Sequence, residues 1–170
     1  MTACPHCYNT LKNEYPQFGG HYQVQHHSQL LAELIEAGRL SNNAGNGDPI
    51  TLHDPCYLAR VNGEIDATRT VIGAPTDEKF REMPRHGKKT FCCGAGGGRM
   101  WFDESPAQRV SCLRAQEAVA TGARTLATAC PFCLNMMTDG IGSTRGGETV
   151  KVLDIAELLL SRQERGSCPV

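Results

Sequence analysis

The chain contains an internal repeat, and that repeat restricts its architecture more than any other feature. Thr2-Ala3-Cys4-Pro5-His6-Cys7-Tyr8-Asn9 returns as Thr128-Ala129-Cys130-Pro131-Phe132-Cys133-Leu134-Asn135. Further on, Leu31-Ala32-Glu33-Leu34 corresponds to Ile155-Ala156-Glu157-Leu158 after a two-residue difference in spacing, so both copies should close on the same kind of helix. The second copy is preceded by a long stretch carrying Cys56 and Cys92-Cys93, whereas the first begins almost at residue 1. The expected organisation is the C-terminal half of a first repeat over 1–40, a linker over 41–49, and a complete second repeat over 50–170. Small and polar residues replace any periodic pattern in the linker. A larger parent protein supplying the missing half is implied.

Turn and cap residues then locate the elements. Ile50 to His53 reads as a short strand that ends at the Asp54-Pro55 turn, with Cys56 just past it. Ser105 followed by Pro106 predicts a helix start, and the helix should run to Thr121 and stop at Gly122. Thr125 to Ala129 and Val150 to Leu153 read as further strands, and Asp154 with Glu157 forms a capping pattern for a last helix. Short strands alternating with helices predict an α/β fold, with a short, partly parallel sheet and flanking helices. Such folds bind ligands beyond strand ends, where Cys56 and Cys130 stand.

A chain of 170 residues can bury an adequate core without cross-links, so its nine cysteines need another explanation. The opening MTACPHCYNT has no basic stretch followed by an apolar run, and the cysteine count is odd. A reducing, cytoplasmic setting is expected, where grouped thiols are metal ligands or redox groups. The formal charge of −1, with both signs interspersed, leaves no basic footprint for nucleic acid or an anionic membrane. The longest apolar run, Ile155 to Leu160, is far too short to span a bilayer. Membrane association is therefore expected only through a partner or parent protein.

Cys130 and Cys133 can turn both sulfurs to one site, with Pro131 stiffening the loop, although a thioredoxin-type redox pair has the same spacing. Cys92-Cys93-Gly94 is more specific. Adjacent side chains on an extended backbone point to opposite sides, which suits a polynuclear cluster better than a single tetrahedral ion. Gly94 and Gly96, with Gly97 and Gly98, would let the backbone wrap such a cluster and offer amide donors to sulfur. Cys56, Cys92, Cys93, Cys130 and Cys133 also outnumber the four ligands that zinc or an ordinary cubane cluster needs.

The wording His53-Asp54-Pro55-Cys56, then Cys92-Cys93-Gly94, then Cys130-Pro131-Phe132-Cys133, with thirty-five residues in each interval, resembles the cysteine-rich CCG domain. That domain is named for heterodisulfide reductase and recurs in iron–sulfur subunits of glycolate oxidase, anaerobic glycerol-3-phosphate dehydrogenase and lactate-utilisation systems. Phe91-Cys92-Cys93-Gly94-Ala95-Gly96-Gly97-Gly98-Arg99-Met100-Trp101 is similar, more narrowly, to the C-terminal part of bacterial membrane-anchored iron–sulfur reductases fed by electron-transfer flavoprotein. The resemblance implies tandem CCG repeats, the first incomplete. It also implies a non-cubane 4Fe-4S cluster on Cys56, Cys92, Cys93, Cys130 and Cys133, and electron relay between a flavoprotein or other redox subunit and a quinone or thiol/disulfide acceptor. Zinc binding in a non-catalytic subunit-interaction module is the alternative.

Less specific readings stand beside these. Cys4 and Cys7 are either metal ligands or free thiols, Cys112 is a small buried hydrophobe, and Cys168 belongs to a terminal tail. Arg99 stands where a dinucleotide fingerprint needs Gly or Ala, so the glycine run is not expected to hold a phosphate. His53 is expected to end a strand in solvent, with a hydrogen bond to a cluster sulfide as its functional alternative. His26-His27 are expected at a polar strand end, and Trp101 and Phe102 in the core, with a docking surface as their alternative. No general acid–base set stands out.

Overall fold

A computed structural model describes residues 1–42, 47–74 and 79–166, with the backbone alone for 164–166. Residues 43–46 of the expected linker and Cys168 lie outside the described residues. The strands β1 (Ile50–His53), β2 (Phe80–Arg81), β3 (Thr125–Thr128) and β4 (Lys151–Asp154) form one sheet in the order β2-β1-β3-β4. Every pairing is parallel, so the sheet goes beyond the partly parallel arrangement read from the sequence. His53 pairs with Thr128 and Thr128 with Asp154, which brings three strands to the same edge.

Parallel strands are buried on both faces and need apolar side chains in both directions. Ile50 and Leu52 of β1 enter one core with Tyr8 of helix α1 (Pro5–Asn9), Ala32 of α2 (His27–Glu36), Val71 and Ile72 of α3 (Asp66–Ile72), and Ile155 and Leu158 of α6 (Ile155–Gly166). Leu126 of β3 enters the other core, with Ala115 and Ala118 of α4 (Val110–Ala120) and Met137 and Ile141 of α5 (Pro131–Gly142). Cys93, Cys130 and Cys133 belong to this second core. Among the described residues, no helix is long and apolar enough to cross a membrane.

The helix expected from Ser105 begins at Val110 instead. Ser105 to Gln108 form a separate turn in which the Ser105 carbonyl accepts from the Gln108 and Arg109 amides at 2.9 and 3.0 Å. Tertiary packing overrides the Ser-Pro start signal here. The Gly94 backbone abuts the true helix start so closely that an added Cβ would stand 3.1 Å from Val110 Cβ and 3.2 Å from Ser111 N. The C-terminus is as expected, with Thr121 as C-cap and Gly122 left-handed at φ 72°.

The repeat has a structural counterpart, although its helices pair differently from the LAEL match. Thr2 bridges His26 in parallel, as Thr128 pairs with Asp154. His26 caps α2 and Gln29 returns its side chain to the His26 amide at 3.0 Å. Asp154 caps α6, its Oδ1 accepting from the Ala156 amide at 2.8 Å while Glu157 accepts from the Asp154 amide at 2.9 Å. Cap therefore corresponds to cap, which pairs Leu31 with Leu159 rather than with Ile155, a shift of about one helical turn. Tyr8 and Ala32 of the N-terminal copy share the core that holds Ile50 and Leu52.

His26 and His27 are buried, contrary to the expectation of a polar strand end. Nδ1 of His26 accepts from the Ser28 amide at 3.3 Å and the Ser28 hydroxyl at 2.8 Å, while Nε2–H donates to the Ala3 carbonyl at 3.2 Å. This use of both nitrogens requires a neutral ring. Burial, reinforced by neighbouring His27, pushes its pKa down from the ordinary 6.5 to about 4. Between those values the unfolded chain binds a proton that the folded chain does not. Stability should accordingly fall as pH is lowered from about 6.5 towards 4. Urea unfolding across that range should show the fall, and His26→Asn, which keeps a capping acceptor without titrating, should make it shallower, the remainder coming from buried His53, whose pKa is held at about 3.

Candidate metal centre

The segment between β1 and Cys56 is held by buried charge. Asp54 is fully buried, and Arg69 of α3 grips both its carboxylate oxygens at 3.0 Å, while the Gly87 amide donates to Oδ2 at 2.6 Å. The Asp54 carbonyl accepts from the Thr90 hydroxyl at 2.9 Å, and the Arg60 guanidinium bonds the Thr90 carbonyl. Thr90 stands just before Phe91-Cys92-Cys93, so one hub fixes the approach to Cys56 and to the cysteine pair. Cys130 takes extended backbone at the N-cap of α5, with Pro131 opening the helix and Cys133 one turn inside.

All five expected ligands, Cys56, Cys92, Cys93, Cys130 and Cys133, line a single cavity of about 50 Å³. Cys93, Cys130 and Cys133 are buried and Cys56 and Cys92 half-buried. The Sγ atoms of Cys93 and Cys133 lie 3.4 Å apart. Loading any metal has to spread them, since two thiolates at 2.3 Å from one tetrahedral ion stand about 3.8 Å apart. His6, Tyr57 and Phe132 form an aromatic rim, with the His6 ring tilted against Tyr57 at 4.2 Å and edge-on to Phe132 at 5.9 Å.

The thiols compete for charge. A hydrogen bond from Cys56, then one from Cys93, together with the Gly94 and Gly96 amides, pulls the Cys92 thiol well below its usual range. The Gly94 amide reaches Cys92 Sγ at 3.3 Å. Cys56 is pushed far up in return, chiefly by its bond to Cys92. The Cys133 hydrogen bond favours a Cys93 thiolate, but the bond to Cys92 and burial outweigh it and raise Cys93 to about 12. Cys133 lowers Cys130 by donating to it and is itself raised well above 9.0 by Cys130, Cys93 and burial. Five thiolates therefore need compensating positive charge inside the cavity. A polynuclear iron centre supplies that charge, and the donor set fits it.

Cys4 and Cys7 do not line this cavity, although Pro5 and His6 between them do. Cys4 is half-buried, its thiol pushed up by desolvation, and Cys7 is exposed. Gly94 and Gly96 serve Cys92 as described and Gly96 lines the cavity, whereas Gly97, Gly98 and Arg99 are exposed and outside its lining. Trp101 and Phe102 are exposed rather than in the core, and Cys112 is buried.

His53 departs from its expected solvent-facing place, being fully buried with a ring nitrogen and the Cys93 and Cys133 sulfurs within 4.8 Å of one another. Burial and the adjacent Arg114 charge push its pKa down to about 3. The supporting residues Asp54, Arg69, Thr90 and Arg114 went unread in the sequence. Asp54 looked only like a turn residue, and the distant arginines carry no motif.

Residues 50–138 match the family described as CCG, cysteine-rich domain. The chain is 39% identical to the EtfAB:quinone oxidoreductase of Syntrophomonas wolfei, with 96% of this chain and 24% of that protein covered. It is 40% identical to the probable iron–sulfur-binding oxidoreductase FadF of Bacillus subtilis, covering 94% and 23%. Against one polypeptide of the dihydromethanophenazine:CoB–CoM heterodisulfide reductase of Methanosarcina barkeri the identity is 35%, covering 94% and 39%. The chain thus spans well under half the length of these relatives.

Arg69→Met would leave the Asp54 carboxylate buried without its cation, at a cost of about 3–5 kcal/mol. Urea unfolding should show that loss, and metal uptake should weaken with it. A change under about 1 kcal/mol, the scale of an exposed pair, would contradict the assignment of Asp54 as the hub.

Proposed function

The chain belongs to the CCG cysteine-rich domain family, and from that premise we propose that it is the electron-transfer module of an oxidoreductase, with Cys56, Cys92, Cys93, Cys130 and Cys133 holding a non-cubane 4Fe-4S cluster. The observation that carries this reading is the convergence of five cysteines on one cavity. Four would suffice for a zinc ion or a cubane cluster. Relatives named as iron–sulfur-binding or quinone-reducing oxidoreductases support an iron–sulfur role.

Such a cluster supplies one-electron chemistry when bound. The chain's own residues position and tune it. Arg69 and Thr90 set the two loops that carry Cys56 and the cysteine pair, and the Gly94 amide stabilises negative charge on Cys92. His6, Tyr57 and Phe132 line the cavity with aromatic surface beside the sulfurs. Tyr57 and Phe132 are 37% and 40% exposed, so this rim is the side from which a redox partner would approach. The names of the Syntrophomonas and Methanosarcina relatives mention EtfAB with quinone and a heterodisulfide. Accordingly the proposed route runs between a flavoprotein and a quinone or thiol/disulfide acceptor, within a larger parent or assembly.

A zinc-stabilised interaction module is the second reading, favoured by the grouping of His53, Cys93 and Cys133. The Nδ1 atom of His53 already accepts from Arg114, which argues against it.

Anaerobically prepared protein should contain about four irons per chain with matching acid-labile sulfide. Cys93→Ser and Cys133→Ser should each disrupt the visible spectrum, while Cys112→Ser leaves it intact. Stoichiometric zinc without sulfide would overturn the iron–sulfur reading. For Cys4 and Cys7, away from the cavity, the double serine variant should retain more than half of the bound iron.

A further inference from the structure

We propose that His53 donates an Nε2–H hydrogen bond to sulfur of the cluster centre, as a potential-setting residue and not as a metal ligand. The inference rests on the iron–sulfur reading above and assigns a role to a residue outside the cysteine set.

His53 ends β1 and is fully buried. Its Nδ1 accepts a hydrogen bond from Arg114 Nε at 3.0 Å. An arginine Nε always carries its hydrogen, so the facing nitrogen must be bare. That condition excludes the imidazolium and the Nδ1–H tautomer together, and leaves the ring proton on Nε2. Arg114 is a positioning residue, itself buried and held by Glu117 Oε2 at 2.5 Å and the Thr90 hydroxyl at 3.5 Å.

The Nε2–H group is buried, and among the described residues nothing accepts from it. A buried donor without an acceptor is costly, and such groups in native proteins point to an unrepresented partner. The ring stands beside Cys93 and Cys133, one of its nitrogens and both sulfurs lying within 4.8 Å of one another. Such a grouping resembles a small metal-ligand set, but Nδ1 is taken by Arg114 and a protonated Nε2 has no lone pair to give. It can donate to a sulfur. Reduction adds negative charge to the cluster sulfurs, so a fixed N–H favours the reduced form and raises the potential.

The test uses the full chain, prepared anaerobically with 15N-labelled histidine, analysed for iron and sulfide and then reduced for pulsed electron paramagnetic resonance. A weak 15N coupling is expected in the native protein, lost in His53→Leu and kept in His6→Phe. In His53→Leu the reduction equilibrium should shift about tenfold toward the oxidised form, equivalent to about 59 mV for one electron. His53→Gln, which restores an amide donor, should recover more than half of that shift. A coupling as strong as that of a directly bonded nitrogen would overturn the proposal by making His53 a ligand. Absence of any histidine coupling in the loaded native protein would overturn it too, without needing a variant that folds. A chain that binds zinc and no iron sinks this inference together with the functional reading, whereas iron and sulfide without the coupling sink this inference alone.

Discussion

A carboxylate buried at the end of a parallel strand needs a cation and hydrogen-bond donors around it, and Asp54 has both. Arg69 binds its two oxygens, Gly87 donates to one of them, and its carbonyl holds Thr90. These contacts join the end of β1, helix α3 and the loop before Cys92-Cys93 across more than thirty residues of chain. The cysteines approach one another because their backbones are held there. Five thiolates brought together would repel one another, so the backbone has to hold them.

The all-parallel sheet explains why such a hub is available at all. Strands β1, β3 and β4 end level with one another, and chain leaving those ends reaches Cys56 and Cys130 on the same side of the sheet. Below that edge both faces are packed with aliphatic side chains, while above it the side chains are sulfur, imidazole and aromatic rings. The N-terminal segment follows the same plan with a single bridge in place of a strand pair, and its Pro5 and His6 line the sulfur cavity. The copy of the repeated motif near residue 1 thereby furnishes part of the rim around the five cysteines.

The sequence made the cysteine constellation legible because spacing and adjacency are covalent properties. Pro131 and the Asp54-Pro55 turn also marked the strand ends correctly, since each imposes its backbone geometry locally. What could not be read depended on partners distant in the chain. His53 looked like a strand end in solvent, yet it meets Arg114, sixty-one residues away. Ser105-Pro106 looked like a helix start, but close contact of Gly94 with Val110 and Ser111 sets the boundary elsewhere. The LAEL match misaligned the two closing helices because similar residues recur every turn on an amphipathic face, whereas the caps at His26 and Asp154 fix the true register. Trp101 and Phe102 were misplaced for a related reason, since hydrophobicity alone does not tell a core residue from an exposed one.

The account stands on the claim that one polynuclear iron centre occupies the cavity between the five cysteines. Anomalous diffraction from crystals grown anaerobically, recorded on both sides of the iron and zinc edges, tests it most directly. The account predicts several iron positions enclosed by Cys56, Cys92, Cys93, Cys130 and Cys133, with no zinc signal there and His53 Nε2 outside bonding distance of metal. A single zinc position bonded to Cys93, Cys133 and His53 would contradict it.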